Sequence, residues 1–118
     1  MDVFTLADLA DRQAGTGLPY LEFLRVPDLS LGLYVLEAGA DDPQRPHAED
    51  EAYVVLEGRS RFTAGDATRD VGPGDTIFVA AGVPHRFHDI AATLRLVVVF
   101  GPAEGSQDRG QDGPSSSP

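Results

Sequence analysis

The amino-acid sequence predicts an all-β protein, an antiparallel sandwich or barrel with one short N-terminal helix. Most of the chain consists of short runs rich in Val, Leu, Phe and Tyr, residue types that favour strands. Gly, Pro and Asp stand at the break after each run, as expected at the turns of an antiparallel sheet. Only residues 5–14 have a pattern typical of a helix.

The predicted helix begins at the N-terminus of the chain, with Thr5 as its N-cap. Leu6 and Leu9 share one face of this helix, and Gly15 is expected to end it. A helix this short is marginal alone. We therefore expect residues 1–21 to pack on the strands that follow.

The strands are predicted near residues 22–26, 31–38, 52–57, 59–64, 67–71, 76–80, 85–89 and 93–100. Gly65 and Asp66 are typical of a two-residue hairpin turn with glycine in its first central place. Residues 72–75 (GPGD) predict a type II turn, which takes Pro and then Gly at its central positions. Pro84 keeps Val83 out of helical conformation and so favours a further break before the strand at 85.

Residues 22–101 are thus expected to form one barrel-like domain. Two of the runs, 76–79 and 96–100, are apolar on both faces. One face fills the barrel, and the other requires a cover: the edge of a second sheet, the N-terminal segment, or a partner subunit in a homodimer. Residues 102–118 are dense in Gly, Pro, Ser and Gln, and we expect them to be a disordered tail.

Composition and charge exclude several classes of function. The chain of 118 residues carries a formal net charge of −10, and all nine of its basic residues are arginine. So acidic a surface repels nucleic acid and anionic membranes, so we expect a small-molecule ligand or substrate instead. Cysteine is absent, which excludes disulfides and thiolate metal sites. With no secretory signal visible, we expect a cytoplasmic location.

The three histidines lie beside predicted strand boundaries. His47 precedes an acidic cluster that includes Glu51, and His85 opens the strand after the turn at 81–84. Two imidazoles and one carboxylate on neighbouring strands can bind Fe(II), Mn(II), Zn(II), Ni(II) or Co(II) on one face of the ion. The alternative is that His47 is a loop residue and Glu51 a solvated acid. His88 takes the opposite face from His85 and is expected at the surface.

Alternation along the strands predicts the neighbours of this site. Glu51 and Tyr53 share one strand face, and His85 shares the other strand's face with Phe87. If both faces point inward, Tyr53 and Phe87 line a cavity beside the ligands. We expect Phe62 and Phe78 to contribute to the same apolar pocket.

From Gly39 onward the chain resembles a cupin. The first cupin motif is G-x5-H-x-H, three or four residues, then E-x6-G. Gly39 begins this motif, His47 stands at its second histidine, Glu51 at its glutamate and Gly58 at its final glycine.

The second cupin motif, G-x5-P-x-G-x2-H-x3-N, follows after a short linker, as in compact single-domain members. Gly74, Gly82 and His85 match it in register, whereas Ala80 replaces its proline and Asp89 its asparagine. The resemblance implies a double-stranded β-helix with a divalent metal ion inside, held by His47, Glu51 and His85.

The first histidine of the H-x-H pair is Arg45 in this chain. Arginine cannot bind a cation, because it is always protonated and has no lone pair to give. The site then has three ligands, or takes a fourth from Gln44 or Glu49. Arg45 itself either faces the cavity, where it can pair with a substrate carboxylate, or bonds to the nearby Asp41 or Asp42.

Two classes of function follow from the resemblance. The first is a metal-dependent enzyme acting on a small oxygenated substrate, by dioxygenation or by non-redox enolisation, isomerisation or cyclisation. Its catalytic candidates are Glu51, Tyr53 and Arg45. The second is a non-catalytic metal- or metabolite-binding protein, because one fold serves many functions.

Overall fold

The computed structural model describes residues 1–43 and 46–106. It contains one helix and six strands in the order α1 (Leu6–Thr16), β1 (Tyr20–Val26), β2 (Leu29–Leu36), β3 (Asp50–Ala64), β4 (Ala67–Val71), β5 (Thr76–Val79) and β6 (His85–Gly101). Every strand pair in this part of the chain is antiparallel. The predicted all-β class with a short N-terminal helix is confirmed. No helix among the described residues has the length and apolar character needed to cross a membrane.

Helix α1 starts where the sequence predicts and ends later. The backbone N–H of Asp8 donates to the Thr5 hydroxyl at 3.2 Å, which confirms Thr5 as the N-cap. The predicted end at Gly15 is wrong, because the helix continues to Thr16 and is capped by Gly17, whose φ of 70° is the left-handed conformation of a C-cap. Leu9 is the buried residue of the helix, and it packs against the outer face of β2 at Leu33 and Val35.

The strands form one sheet in the order β1-β2-β6-β3-β4, with β5 paired to the first half of β3. β3 and β6 are long because each joins two predicted strands: 52–57 with 59–64 in β3, and 85–89 with 93–100 in β6. They pair with each other along their lengths, from Asp50 opposite Gly101 to Ala64 opposite His85. The sheet bends on itself around a core of side chains from β2, β3 and β6.

β3 turns a corner at Gly58. Before this corner the residues Glu51, Tyr53 and Val55 are buried, and beyond it the buried ones are Ser60 and Phe62. The pairing with β6 shifts register on both sides of Gly58. On β3 itself one extra residue lies between Val55 and Glu57, and it moves the inward side chains from odd to even positions.

β6 makes the same change of parity at Asp89. His85 and Phe87 are buried before it, whereas Ile90 and Leu94 are buried after it. Asp89 has a φ of 49° and is the only residue other than glycine with positive φ in the described chain. Aspartate and asparagine tolerate this conformation better than most residues, which explains the residue type at this position.

The turns agree with their sequences. Gly65 and Asp66 connect β3 to β4 as a two-residue turn, between the paired residues Ala64 and Ala67. At residues 72–75 the backbone N–H of Asp75 donates to the carbonyl oxygen of Gly72 at 3.1 Å, and Gly74 has a φ of 91°. Both features belong to the predicted type II turn.

The chain remains ordered past the end of the barrel. Residues 102–106 follow β6, and within them Ala103 and Glu104 are buried. The predicted tail at 102–118 therefore begins too early, because the Glu104 N–H donates to the buried Ser30 hydroxyl at 2.9 Å and Arg25 donates to the Glu104 carbonyl at 2.7 Å. Residues 107–118 lie outside the described residues.

Candidate functional site

Glu51 and His85 meet inside the sheet although they begin different strands. Glu51 pairs with Val79, the last residue of β5, and the turn that follows β5 leads directly to His85. Both side chains point inward, as their strand parity predicts. The His85 Nε2 and Glu51 Oε1 atoms lie 2.9 Å apart, and each side chain is at least 98% buried.

His85 is oriented by its backbone neighbours. Its Nδ1 donates to the Val83 carbonyl oxygen at 2.8 Å, so that in the neutral ring Nε2 carries the lone pair. The Tyr53 hydroxyl lies 3.0 Å from this Nε2. Burial lowers the pKa of His85, but the contacts with the Glu51 carboxylate and the Val83 carbonyl outweigh it and raise the pKa above its usual value.

His47 approaches the same interior from the loop before β3. Its carbonyl oxygen accepts a hydrogen bond from the Gly82 N–H at 2.7 Å, and its ring packs edge-on against Phe100 with centroids 4.9 Å apart. Its Nδ1 faces the Glu104 carboxylate at 3.9 Å, within a pair in which both side chains are 5% exposed. The ring centroids of His47 and His85 are 6.4 Å apart.

Buried polar atoms without partners mark this region. Among the described residues, four buried side-chain oxygen or nitrogen atoms lack a hydrogen bond: Tyr20 Oη, His47 Nε2, Glu51 Oε1 and Glu51 Oε2. Glu51 Oε1 nevertheless lies 2.9 Å from His85 Nε2, within ion-pair distance, so Glu51 Oε2 and His47 Nε2 are the atoms of this group that are left without a close polar partner among the described residues. Three of these four atoms belong to His47 and Glu51, and unpaired buried polar atoms are costly.

The donor set fits a divalent cation in chemistry. Two imidazole nitrogens and a carboxylate are ligands for Fe, Mn, Zn, Ni or Co, and the unpartnered atoms of His47 and Glu51 are the ones that would bind. Within residues 1–43 and 46–106, no three His, Asp or Glu side chains are already spaced to hold an ion. Binding would require the His47 and His85 rings to move closer together, from their separation of 6.4 Å.

Aromatic side chains surround the polar cluster, which we define as His47, Glu51, Tyr53 and His85. Phe87 packs edge-on against Tyr53 with ring centroids 5.0 Å apart, and both rings are fully buried. Phe62 lies 6.0 Å from the His85 ring, as predicted for a wall of the pocket.

Two other predicted positions lie away from the polar cluster. Phe78 was expected in the apolar pocket, but its side chain is 67% exposed because on β5 it alternates with the buried Val79. His88 lies on the opposite face of β6 and bonds to Thr63 at 2.7 Å and Asp89 at 2.9 Å, away from the polar cluster.

The loop candidates for a fourth ligand are only partly described. Gln44 and Arg45 lie outside the described residues. Glu49 is 1% exposed and its carboxylate accepts a hydrogen bond from the Gly105 N–H at 3.2 Å. Asp42 accepts from the Tyr34 hydroxyl and, at 2.8 Å, from the Phe87 N–H.

Two residues near the cluster were missed by sequence reasoning. Glu104 lies in a segment whose composition indicates disorder, and its only sequence signal is the neighbouring apolar Ala103. Tyr20 begins β1, two residues before the strand predicted from the sequence. The alternation of residues along β1 does not by itself indicate that the Tyr20 side chain faces a site.

A cleft of about 340 Å³ opens between β4 and β5. Phe62 belongs both to this cleft and to the aromatic wall of the polar cluster. The other lining residues are Ala64, Ala67, Arg69, Asp70, Val71, Asp75, Thr76, Ile77 and Phe78.

Comparison with known proteins places residues 32–100 in the cupin domain family. A protein of Streptomyces coelicolor, described as uncharacterised, is 46% identical over 104 residues, which cover 88% of this chain and 99% of that protein. The crystal structure of TT1209 from Thermus thermophilus matches 87% of this chain and 99% of its own, with a TM-score of 0.71 and 27% identity.

The DMSP lyase DddQ from Ruegeria pomeroyi also has a similar structure. It matches 72% of this chain with a TM-score of 0.62 and 26% identity. The match spans only 42% of the length of that lyase. The likeness therefore leaves more than half of the lyase unmatched.

Proposed function

This chain belongs to the cupin family, and we propose that it is a metal-dependent enzyme acting on a small oxygenated substrate at His47, Glu51 and His85. The observation that carries the proposal is that His47 Nε2 and Glu51 Oε2, buried beside His85, find no hydrogen-bond partner among the described residues. A protein that kept these atoms dry and unpaired for packing alone would bear a cost of about 1–3 kcal/mol for each. A cation removes this cost because it pairs with all of them.

The three residues would hold the ion, and the bound ion would polarise a substrate oxygen as a Lewis acid. His85 would bind through Nε2, since its Nδ1 proton is engaged by the Val83 carbonyl oxygen. His47 would bind through Nε2 as well, because Nδ1 faces Glu104. An oxygen acceptor near Nδ1 of each imidazole, the Val83 carbonyl for His85 and the Glu104 carboxylate for His47, favours the tautomer in which Nε2 is free to bind a metal.

Tyr53 is the candidate for proton transfer. Its hydroxyl lies 3.0 Å from His85 Nε2 and its ring is fully buried among Phe62 and Phe87. A phenol in this position can donate a proton to, or accept one from, a substrate oxygen or carbon held at the cluster. This role favours enolisation, isomerisation or cyclisation over dioxygenation.

The likeness to DMSP lyase DddQ supports the same branch, because a lyase cleaves bonds without oxidation. The dioxygenase branch depends on the identity of the ion and keeps the same three ligands. The two branches differ in whether O2 is consumed.

The test is turnover by metal-reconstituted protein. Protein stripped by a chelator and reloaded separately with Fe(II), Mn(II), Zn(II), Ni(II) or Co(II) would be incubated in D2O with 2-oxo acids, 1,3-diketones and catechols. We expect deuterium incorporation or product formation by NMR, without O2 consumption, with at least one ion. The Tyr53→Phe variant should keep its metal and lose about 100-fold in rate.

His47→Ala and His88→Ala form the matched pair of variants. Loss of metal and turnover in the first, with both retained in the second, is the expected result. Turnover that is equal with and without metal, or equal in both variants, would contradict the proposal.

A second candidate function is that of a non-catalytic binding protein. The cleft between β4 and β5 favours it, because of the described residues that line this cleft only Phe62 also belongs to the aromatic wall, so a molecule bound there would lie beside the proposed metal ligands and not on them. Metal at one ion per chain with no turnover on any substrate class would support this alternative.

A further inference from the structure

Tyr20, at the start of β1, places its hydroxyl group inside the sheet. The ring lies over Gly32 of β2, so closely that a Cβ at Gly32 would fall 2.1 Å from the hydroxyl oxygen. Only glycine therefore leaves room for this ring position. The Tyr20 side chain belongs to the core cluster, with the residue 9% exposed.

The strand register relates Tyr20 to the polar cluster. Gly32 pairs with Val98 of β6, and Val98 pairs with Tyr53 of β3. Tyr53 and Gly32 thus lie in one row, two strand spacings or about 10 Å apart. The adjacent row contains Ser30, Phe100 and Glu51. The Tyr20 ring therefore lies over the row of the sheet that contains Tyr53 and beside the row that contains Glu51.

The two interior tyrosines on this side of the sheet differ in one respect. The Tyr34 hydroxyl donates to the Asp42 carboxylate, whereas the Tyr20 hydroxyl has no hydrogen-bond partner among residues 1–43 and 46–106. The rings themselves pack edge-on with centroids 6.0 Å apart. A buried phenol normally finds a partner, so the bare hydroxyl of Tyr20 indicates a group supplied from outside the chain.

The surroundings of Tyr20 define what that group is. Burial, followed by the charges of Glu104, Glu22 and Glu51, raises the pKa of the Tyr20 phenol well above its usual value. The hydroxyl consequently stays protonated and offers a donor. The same three carboxylates repel a second anionic group, so the preferred acceptor is a neutral carbonyl, hydroxyl or ether oxygen.

We propose that the Tyr20 hydroxyl binds the distal neutral oxygen of the substrate whose other end is held at His47, Glu51 and His85. The inference rests on the proposed function and adds the substrate class: a small molecule with a metal-binding oxygen pair at one end and an uncharged oxygen at the other. Tyr20 is then a specificity-determining residue that never touches the ion.

The first experiment measures stability without metal or ligand. Tyr20→Phe removes an unpaired buried hydroxyl and keeps the ring over Gly32, so the melting temperature should rise by about 3–6 °C. Tyr34→Phe is the matched control, and it should lower the melting temperature because it deprives Asp42 of a donor. A fall in the melting temperature of Tyr20→Phe would mean that the hydroxyl already has a partner in the protein, which overturns the proposal.

The second experiment measures ligand affinity on Co(II)-loaded protein, followed through the visible spectrum of the ion. Kojic acid and allomaltol share the same chelating oxygen pair, and only kojic acid has a distal hydroxyl. The wild-type protein should bind kojic acid about fivefold more tightly than allomaltol, and Tyr20→Phe should bind the two equally.

The outcomes separate this inference from the proposed function. Equal affinities for the two probes in the wild-type protein, or an unchanged preference in Tyr20→Phe at one ion per chain, would overturn the role of Tyr20 alone. Failure of the wild-type protein to bind Co(II) would overturn the proposed function, and the role of Tyr20 with it.

Discussion

His47 is held in the polar cluster by residues distant in sequence. Its carbonyl accepts from Gly82, its ring rests on Phe100, and its Nδ1 faces the Glu104 carboxylate at 3.9 Å. Carboxylates behind metal-binding histidines fix the ring and raise its basicity. Glu104 is therefore a positioning residue for the proposed site, although it lies beyond the last strand.

Glu104→Gln should weaken metal binding by about tenfold, because the amide removes the charge that favours the Nδ1-protonated ring. The measurement is competition for Co(II) or Zn(II) against a chelator of known affinity. Glu57→Gln, which alters a half-exposed pair with Arg95, should leave the affinity unchanged. Equal affinities for Glu104→Gln and the wild-type protein would show that Glu104 does not support His47.

Asp89 lies where the buried residues of β6 change from odd-numbered to even-numbered positions. Its backbone φ of 49° makes this change possible. Asp89→Asn should change the free energy of unfolding by less than about 0.5 kcal/mol, since asparagine also tolerates this conformation. Asp89→Val should cost about 2 kcal/mol, because a branched Cβ is strained there. Urea unfolding measures both, and equal costs would contradict this explanation of the corner in β6.

At the scale of elements, the corner of β3 determines which residues face inward. Glu51 and Tyr53 face the site from odd positions, and Phe62 faces it from an even one, because the register shifts around Gly58. Gly58 has a φ of 92°, and a Cβ there would lie 2.3 Å from the Thr93 carbonyl oxygen. Two requirements, conformation and space, therefore select glycine at this position.

Gly58→Ala and Gly65→Ala separate these two requirements. Gly65 has a positive φ of 58° but no atom within 4 Å of the added Cβ, so its substitution should cost about 1 kcal/mol. Gly58→Ala adds a clash with backbone and should cost at least about 3 kcal/mol. The free energies of unfolding in urea test this, and similar values for the two variants would contradict the role of close approach.

At the scale of the whole molecule, an apolar row crosses the outer face of the sheet. Phe78 pairs with Ala52, Ala52 with Val99, and Val99 with Leu31. Helix α1 covers the neighbouring surface at Leu33 and Val35, packing there through Leu9, and leaves Phe78 67% exposed. A second copy of the chain would cover this row.

We expect a homodimer that buries Phe78, with Phe78→Asp shifting the protein to monomer. Light scattering after gel filtration gives the mass of each species. Val26→Asp is the control, because Val26 is also exposed but ends the edge strand β1. A wild-type protein that remains monomeric at high concentration would contradict this prediction.

Local patterns in the sequence predicted the class of fold and the inward placement of Glu51 and His85. Short apolar runs define strands, and strand parity holds as long as no bulge intervenes. The continuity of β3 through Gly58 and of β6 through Asp89 was not predicted, because a glycine or an aspartate within a run reads equally well as a turn.

The partners of the site required the three-dimensional structure. Glu104 reaches His47 only because the segment after β6 docks on Ser30, a contact that composition does not encode. Tyr20 reaches the interior because Gly32 leaves space on a neighbouring strand. Such pairings depend on register between distant segments, which a single sequence does not reveal.

The central claim is that His47, Glu51 and His85 bind one metal ion. Elemental analysis of protein expressed and purified without a histidine tag tests it most directly, with Glu51→Ala and His88→Ala prepared in parallel. The account predicts about one divalent transition-metal ion per chain in the wild-type protein and in His88→Ala, and almost none in Glu51→Ala. A wild-type protein that carries no ion and takes none up on dialysis against Fe(II), Mn(II), Zn(II), Ni(II) or Co(II), or a Glu51→Ala variant with full metal content, would contradict it.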